Sequence, residues 1–397
     1  MLIDFLLLSI VVFANIYYVF FLRKEYKRIS FLYSFSLITI FYTPSLYFFF
    51  GGEIYRFFAD KSLVDFFHYA TIVFVFYIVI YILIDNIKTR KSSLYLKNSM
   101  LIKIYFLAFA IPIGLYYIIY FKQFPLIHFI LHGELIDRPD LTGAIPHFYT
   151  VQIIVSIIIP SIYFYYFDTI KNKYSHIIIN FILFFLFIAS GNKGFIAYYL
   201  IFMWLYIFKA RIDLKLFLIF IFLMFIYLLT KGITEINSEV LEYMINSPFR
   251  RFFVTQGTCF IHRVDMVNEG FDFLNNVNPR GLKFDVFAHM YNTTTIIGSA
   301  PTFYIGDFYA KYGEFFSLLV FIIISSIILL VSKFFYAMET NRKLFFYWNV
   351  YSLLFFIVMA EINFANMIRI LVAVFNIIII IFLSKLKLKK GNKCKIT

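Results

Sequence analysis

Glu314-Phe-Phe-Ser-Leu-Leu-Val-Phe-Ile-Ile-Ile-Ser-Ser-Ile-Ile-Leu-Leu-Val-Ser-Lys333 places eighteen uncharged residues between an acid and a base. A helix that crosses the hydrocarbon core of a bilayer needs about 20 mostly apolar residues. A surface helix of a soluble domain keeps one polar face, and this stretch has none. The sequence predicts a membrane span here. Ten further runs read the same way: 2–22, 31–50, 68–84, 101–120, 151–167, 177–190, 195–209, 216–230, 344–360 and 367–384. The pair 177–190 and 195–209 is short. It reads either as two spans or as one re-entrant hairpin.

Composition agrees with this reading. The 397 residues are 62% hydrophobic and 15% charged, against roughly 45–50% and about 25% in soluble domains. A soluble fold, a disordered chain and a disulfide scaffold are all excluded. The predicted fold class is an all-α polytopic integral membrane protein, one domain over 1–397 with about eleven spans. Met1–Leu22 carries Asp4 rather than a basic leader and is followed by Arg23-Lys24, so it reads as a retained first span. The two cysteines, Cys259 and Cys394, are predicted on opposite sides of the bilayer. They are too few for a four-cysteine metal site.

The net charge of +14 would suggest nucleic acid in a soluble protein. Its distribution says otherwise. Segments 23–28, 85–100, 168–176, 209–215, 333–343 and 385–397 hold 22 basic and 5 acidic residues, and each is net positive. The alternating segments 51–67, 121–150, 191–194 and 231–313 hold 12 basic and 14 acidic residues. Basic loops mark the cytoplasmic side. The N-terminus is therefore expected outside and the C-terminus inside. The excess charge is a topology signal, and no nucleic-acid partner is expected. The lysines from Lys385 to Lys395 anchor that topology or bind anionic lipid.

Two outer segments, 121–150 and 231–313, are long enough to carry function. In the second, Ile233, Ile236, Val240 and Met244 share one face of a short amphipathic helix that Pro248 stops. Arg250 and Arg251 follow among aromatics. Guanidinium forks match phosphate oxygens; the competing reading pairs one arginine with Glu242 or Asp265 and lets the other reach the interface. The segment closes on Gly298, Pro301, Gly306 and Gly313, which predict a tight, folded-back backbone around Asp307. Asp307 reads as a general base or as the N-cap of the next span. His262, Arg263, Asp265 and His289 form a loose His/Asp set, but no C-x-x-C or D-x-D pattern accompanies them, and no metal is assigned. Arg138, Lys193, Glu361 and Arg369 complete the charged positions of the outer side, where they make up a cationic pocket.

Taken in order, the Ser190-Gly-Asn-Lys193-Gly194 hairpin, the Arg250-Arg251-Phe-Phe stretch and Gly306-Asp307-Phe-Tyr-Ala-Lys-Tyr-Gly313 before a span resemble the Wzy-type O-antigen polymerases. The likeness covers nearly the whole chain in layout. One spaced pattern of some members, R-x10-G, is absent from both long outer segments. The resemblance implies a GT-C-like membrane glycosyltransferase in the bacterial inner membrane. Its donor and acceptor would be undecaprenyl-diphosphate-linked oligosaccharides, and its product a surface polysaccharide, either the O-antigen of lipopolysaccharide or a capsule. It implies diphosphate binding by Arg138, Arg250 and Arg251, joined by Lys193 and Arg369. A base is then required; Asp307 is the first candidate, with His262 and Glu361 behind it. No cofactor and no metal are implied. A chain-length regulator and a flippase are implied as partners, and membrane lipid as surroundings. Two other readings use similar parts. An O-antigen ligase would share the donor. A flippase of lipid-linked sugars would share the cationic cavity, and Pro44, Pro112 and Pro160 would suit its moving helices.

Overall fold

A computed structural model describes residues 1–21, 27–96, 100–133, 145–189, 193–209, 251–275, 278, 281–292, 300, 303–358 and 364–386. The chain is an all-α membrane protein. Its spanning helices are α1 (Leu2–Phe21), α2 (Lys27–Leu37) continued through a π turn into α3 (Thr43–Phe49), α4 (Asp60–Asn86) and α5 (Met100–Ile119). After the short α6 (Pro125–His132) come α7 (Phe148–Tyr166), α8 (Lys173–Ala189) and α9 (Lys193–Phe202), which runs on through a second π turn to Ile207. The remaining helices are α10 (Gln256–Asn268), α11 (Leu282–Tyr291), α12 (Tyr304–Ala337), α13 (Lys343–Val358) and α14 (Phe364–Lys385). Apolar side chains point outward where lipid would lie: Ile3 is 79% and Phe315 80% exposed. Ten of the eleven predicted spans coincide with helices; 216–230 lies outside the described residues, as do the amphipathic stretch 232–244 and the tail beyond 386.

Between spans, polar side chains supply the directional contacts that an apolar solvent cannot. Asn376 of α14 donates to Asn349 of α13 at 2.8 Å, and Tyr105 of α5 donates to Asn376 at 3.1 Å. Ser161 of α7 reaches the same Asn349 oxygen. Trp348 is fully buried against Phe164, Tyr198, Tyr199 and Phe202, and its indole N–H donates to the Ile157 carbonyl. Gln152 donates to the Tyr117 hydroxyl, which donates in turn to the Leu186 carbonyl.

The loops sort by face as their charges predict. After α4, β1 (Ser92–Leu94) pairs in parallel with β2 (Met338–Thr340), which follows α12. Lys333 donates to the carbonyls of Ile84 and Asp85, and Arg342 to the carbonyl of Tyr165. Two helix C-termini, those of α4 and α7, thus meet their cations on one face, where the partial negative charge of the helix end favours them. On the opposite face, Asp4 of α1 contacts His68 near the start of α4, and α10 ends beside Ser62 and Asp65.

The pair 177–190 and 195–209 forms two separate apolar helices, each shorter than the seven that are long and apolar enough to cross a membrane. His176, near the start of α8, bonds Tyr163 and the Ile170 carbonyl on the basic face, and Leu186 near its end meets Tyr117 at the other face. Beyond α9, Tyr206 meets Tyr336 and Tyr347 on the basic face.

A difference concerns 231–313. Its described part packs closely against the ends of α3, α4 and α12. The π turn Arg251–Thr255 and α10 make these contacts. Thr43 Oγ1, about two-thirds of the way along the span Ile29–Phe49, donates to the Phe253 carbonyl at 2.5 Å, and Phe253 packs edge-on to Phe35. Every residue from Gly257 to Met266 is buried. Gly257 makes the approach possible: a Cβ there would lie 2.1 Å from the Ile40 carbonyl oxygen and 2.2 Å from Pro44 Cγ. Of the residues predicted to fold the backbone back, Gly298 and Pro301 lie outside the described residues. Gly306 is helical within α12, and Gly313 alone breaks that helix, at φ 81° and ψ 179°.

Candidate functional site

The buried helix α10 carries two chemically different faces. At about 100° per residue, His262, Asp265 and Glu269 fall on one side and Arg263 on the other. Arg263 is fully buried, and its guanidinium grips Asp307 of α12 through Nε at 3.1 Å and Nη2 at 3.0 Å, both to Oδ1. Nη1 donates back to the Cys259 carbonyl at 2.9 Å, and the Ala300 carbonyl lies at 3.4–3.5 Å. Asp307 is 35% exposed. Among the described residues nothing donates to its Oδ2. The carboxylate is thus oriented by one oxygen and open at the other. The N-cap alternative does not hold, because Phe303 occupies that position and makes no side-chain cap.

On the opposite face, Asp265 is buried and closes the start of α4. Its Oδ1 accepts from the Ala59 N–H at 3.0 Å and the Ser62 hydroxyl at 2.6 Å. This satisfies donors at a helix N-terminus, and it extends α4 about two turns beyond the predicted span. His262 lies level with the 51–59 loop. Its Nε2 donates to the Tyr55 carbonyl at 2.9 Å, and its Nδ1 faces His289 Nδ1 at 2.8 Å. Burial, His289 and Arg263 together lower its pKa to about 3. Both ring nitrogens are engaged and the ring stays neutral, so His262 positions its neighbours and is not open to a substrate proton. His289 Nε2 lies 3.2 Å from Glu269 Oε2 and 3.7 Å from Asp265 Oδ2. A small core of Cys259, Met266, Val286, Met290 and Ala310 locks α11 and α12 against α10.

The other predicted positions divide. Arg369, in the second turn of α14, stacks its guanidinium over the Phe195 ring at 5.3 Å. Lys193 opens α9 two residues before that ring, so the structure brings these two positions to one place. The side chains of Lys193 and Arg251 lie outside the described residues, as do Arg138, Arg250 and Glu361 altogether. No contact joins Arg369 to His262 or Asp307 among the described residues. The sequence reading missed two features. One is Arg263 as the partner of Asp307. The other is Glu269, although its i+4 and i+7 spacing from Asp265 and His262 marks a single helix face.

No family model matches this chain, and neither a characterised protein nor a solved structure is significantly similar to it.

Proposed function

We propose that this protein is a membrane glycosyltransferase that polymerises polyprenyl-diphosphate-linked oligosaccharide repeat units at the outer face of the bacterial inner membrane. The supporting observation is α10: a helix packed against the ends of the spans, whose His262, Arg263 and Asp265 are buried, with an open carboxylate oxygen of Asp307 beside it. Buried ionisable groups held in fixed positions are candidates for a functional site. The arrangement suits glycosyl transfer from a lipid diphosphate. Asp307 Oδ2 takes the proton of the acceptor hydroxyl as that oxygen attacks the anomeric carbon. The bond from anomeric carbon to phosphate oxygen breaks, and the diphosphate leaves with the electron pair. Arg263 holds Asp307 in place. Arg138, Lys193, Arg250, Arg251 and Arg369 are assigned to the diphosphates, where preorganised cations stabilise the departing charge. The reaction needs no metal at the reacting atoms. The basic loop face is assigned to the cytoplasm, which leaves the N-terminus outside.

The test is a gel of surface glycan from a strain lacking the gene, with and without a plasmid copy. Collapse of a ladder to a single repeat unit, restored by the plasmid, supports polymerisation. Loss of every surface unit, with lipid-linked units accumulating, would replace this reading with a flippase or a ligase.

A further inference from the structure

The hydrogen bonds around His262 fix a proton pattern with a consequence for His289. Only an N–H can face the Tyr55 carbonyl, so His262 carries its proton on Nε2 and offers a lone pair at Nδ1. His289 must then donate from its own Nδ1 across the 2.8 Å contact. That leaves His289 Nε2 directed at two carboxylates, the buried Asp265 and the exposed Glu269. One ligand atom from each of the three residues lies within 4.8 Å of the others.

We propose that Asp265, Glu269 and His289 bind one divalent transition-metal cation of the Zn2+ type, which clamps α11 to the end of α10. Zinc accepts imidazole nitrogen at about 2.0–2.1 Å and carboxylate oxygen at about 2.0–2.2 Å in a tetrahedron. Such bonds set neighbouring ligand atoms about 3.3 Å apart, and His289 Nε2 lies 3.2 and 3.7 Å from its two carboxylate oxygens. Three protein ligands and an open fourth position also match zinc. Calcium would ask for six to eight oxygens. The outer shell is already built. A ligating histidine gives its other N–H to an acceptor, and ligating carboxylates are themselves hydrogen-bonded. Here His262 takes the His289 proton, and Ala59 and Ser62 hold the second oxygen of Asp265. The site faces away from Arg263 and Asp307 on α10, so it stands apart from the transfer chemistry, and its test is independent of that reading.

The full chain is purified in detergent with a histidine-free affinity tag, stripped with EDTA and titrated with Zn2+ alone. Calorimetry gives the affinity, and elemental analysis after desalting gives the stoichiometry. One Zn2+ per chain is expected, with a higher Tm. Outer-shell changes weaken such sites by about 10–100-fold. Ser62→Ala should therefore weaken binding about tenfold, and Glu269→Gln or His289→Gln by more than about 100-fold. His132→Ala, on the separate helix α6, should leave it unchanged. Two results would overturn the proposal. One is wild-type protein with no saturable Zn2+ site, which would make His289 an imidazolium shared by the carboxylates. The other is unchanged affinity in the Glu269→Gln/His289→Gln double variant, whose fold is checked by its Tm without metal.

Discussion

Asp307→Asn removes one charge from a pair whose other member has no access to water. Arg263 is fully buried, and after the change its guanidinium faces a neutral amide oxygen in place of the carboxylate, with the Cys259 carbonyl at 2.9 Å and the more distant Ala300 carbonyl. Breaking a buried pair costs about 3–5 kcal/mol because a charge is left uncompensated. Asp307 is 35% exposed, so water reaches that side and the lower end applies, about 3 kcal/mol. Thermal unfolding in detergent should show a clear fall in Tm. The double variant Arg263→Met/Asp307→Leu removes both charges and should recover most of that loss, as apolar replacement of buried pairs often does. Polymerisation should separate from stability. A general base contributes about 100- to 10,000-fold, so both variants should lose the glycan ladder at normal protein levels. Wild-type Tm in Asp307→Asn would refute the energetic role of the pair. A ladder from the double variant would refute Asp307 as the base.

The remaining expectations use different parts of the molecule. Gly257→Ala should destabilise by about 1–3 kcal/mol or more, since its methyl would meet the Ile40 carbonyl; Gly114→Ala, with open space around it, should leave Tm unchanged or raise it. His262 stays neutral to about pH 3 in the folded protein but takes a proton near pH 6.5 when unfolded. Stability in EDTA should therefore fall as pH drops from about 6.5 to 3, by up to about 1.4 kcal/mol per unit, and His262→Gln should flatten that slope in thermal scans. Arg250→Ala and Arg251→Ala should each slow polymerisation about 10–100-fold, from roughly 1.5–3 kcal/mol per charged hydrogen bond; wild-type ladders from both would remove the diphosphate assignment. A reporter fused after Lys209 should show cytoplasmic activity, and periplasmic activity there would invert the topology.

The spans were legible because each is a long apolar run, and lipid imposes that pattern on one helix at a time. The basic loops were legible for the same local reason, and Lys333 and Arg342 now show their contacts at the helix ends. The buried helix was not. Gln256–Asn268 mixes Thr258, His262, Arg263, Asp265 and Asn268 with apolar residues, and this composition resembles a surface loop. Its burial depends on partners far away in sequence: Tyr55, Ser62, His289 and Asp307. No window of the chain contains both halves of any of these contacts. The single-face spacing of His262, Asp265 and Glu269 was the one local clue, and it carries meaning only once the segment is known to be helical.

Burying these groups needs a reason beyond packing. An apolar helix of similar volume in the place of α10 would avoid desolvating a guanidinium and a carboxylate, and such replacements are often neutral or stabilising. The chain instead builds space for a polar helix. A π turn at Ile38–Tyr42 and Pro44 shape the wall of the span, and Gly257 lets α10 approach its backbone. Asp265 then closes the start of α4, and Arg263 fixes one oxygen of Asp307 while the other stays open. Stability alone does not call for that combination. A site that must hold a carboxylate in a set orientation at the membrane face does, and the two faces of α10 divide the work: one orients the acid, and the other fastens the helix to the surface around it.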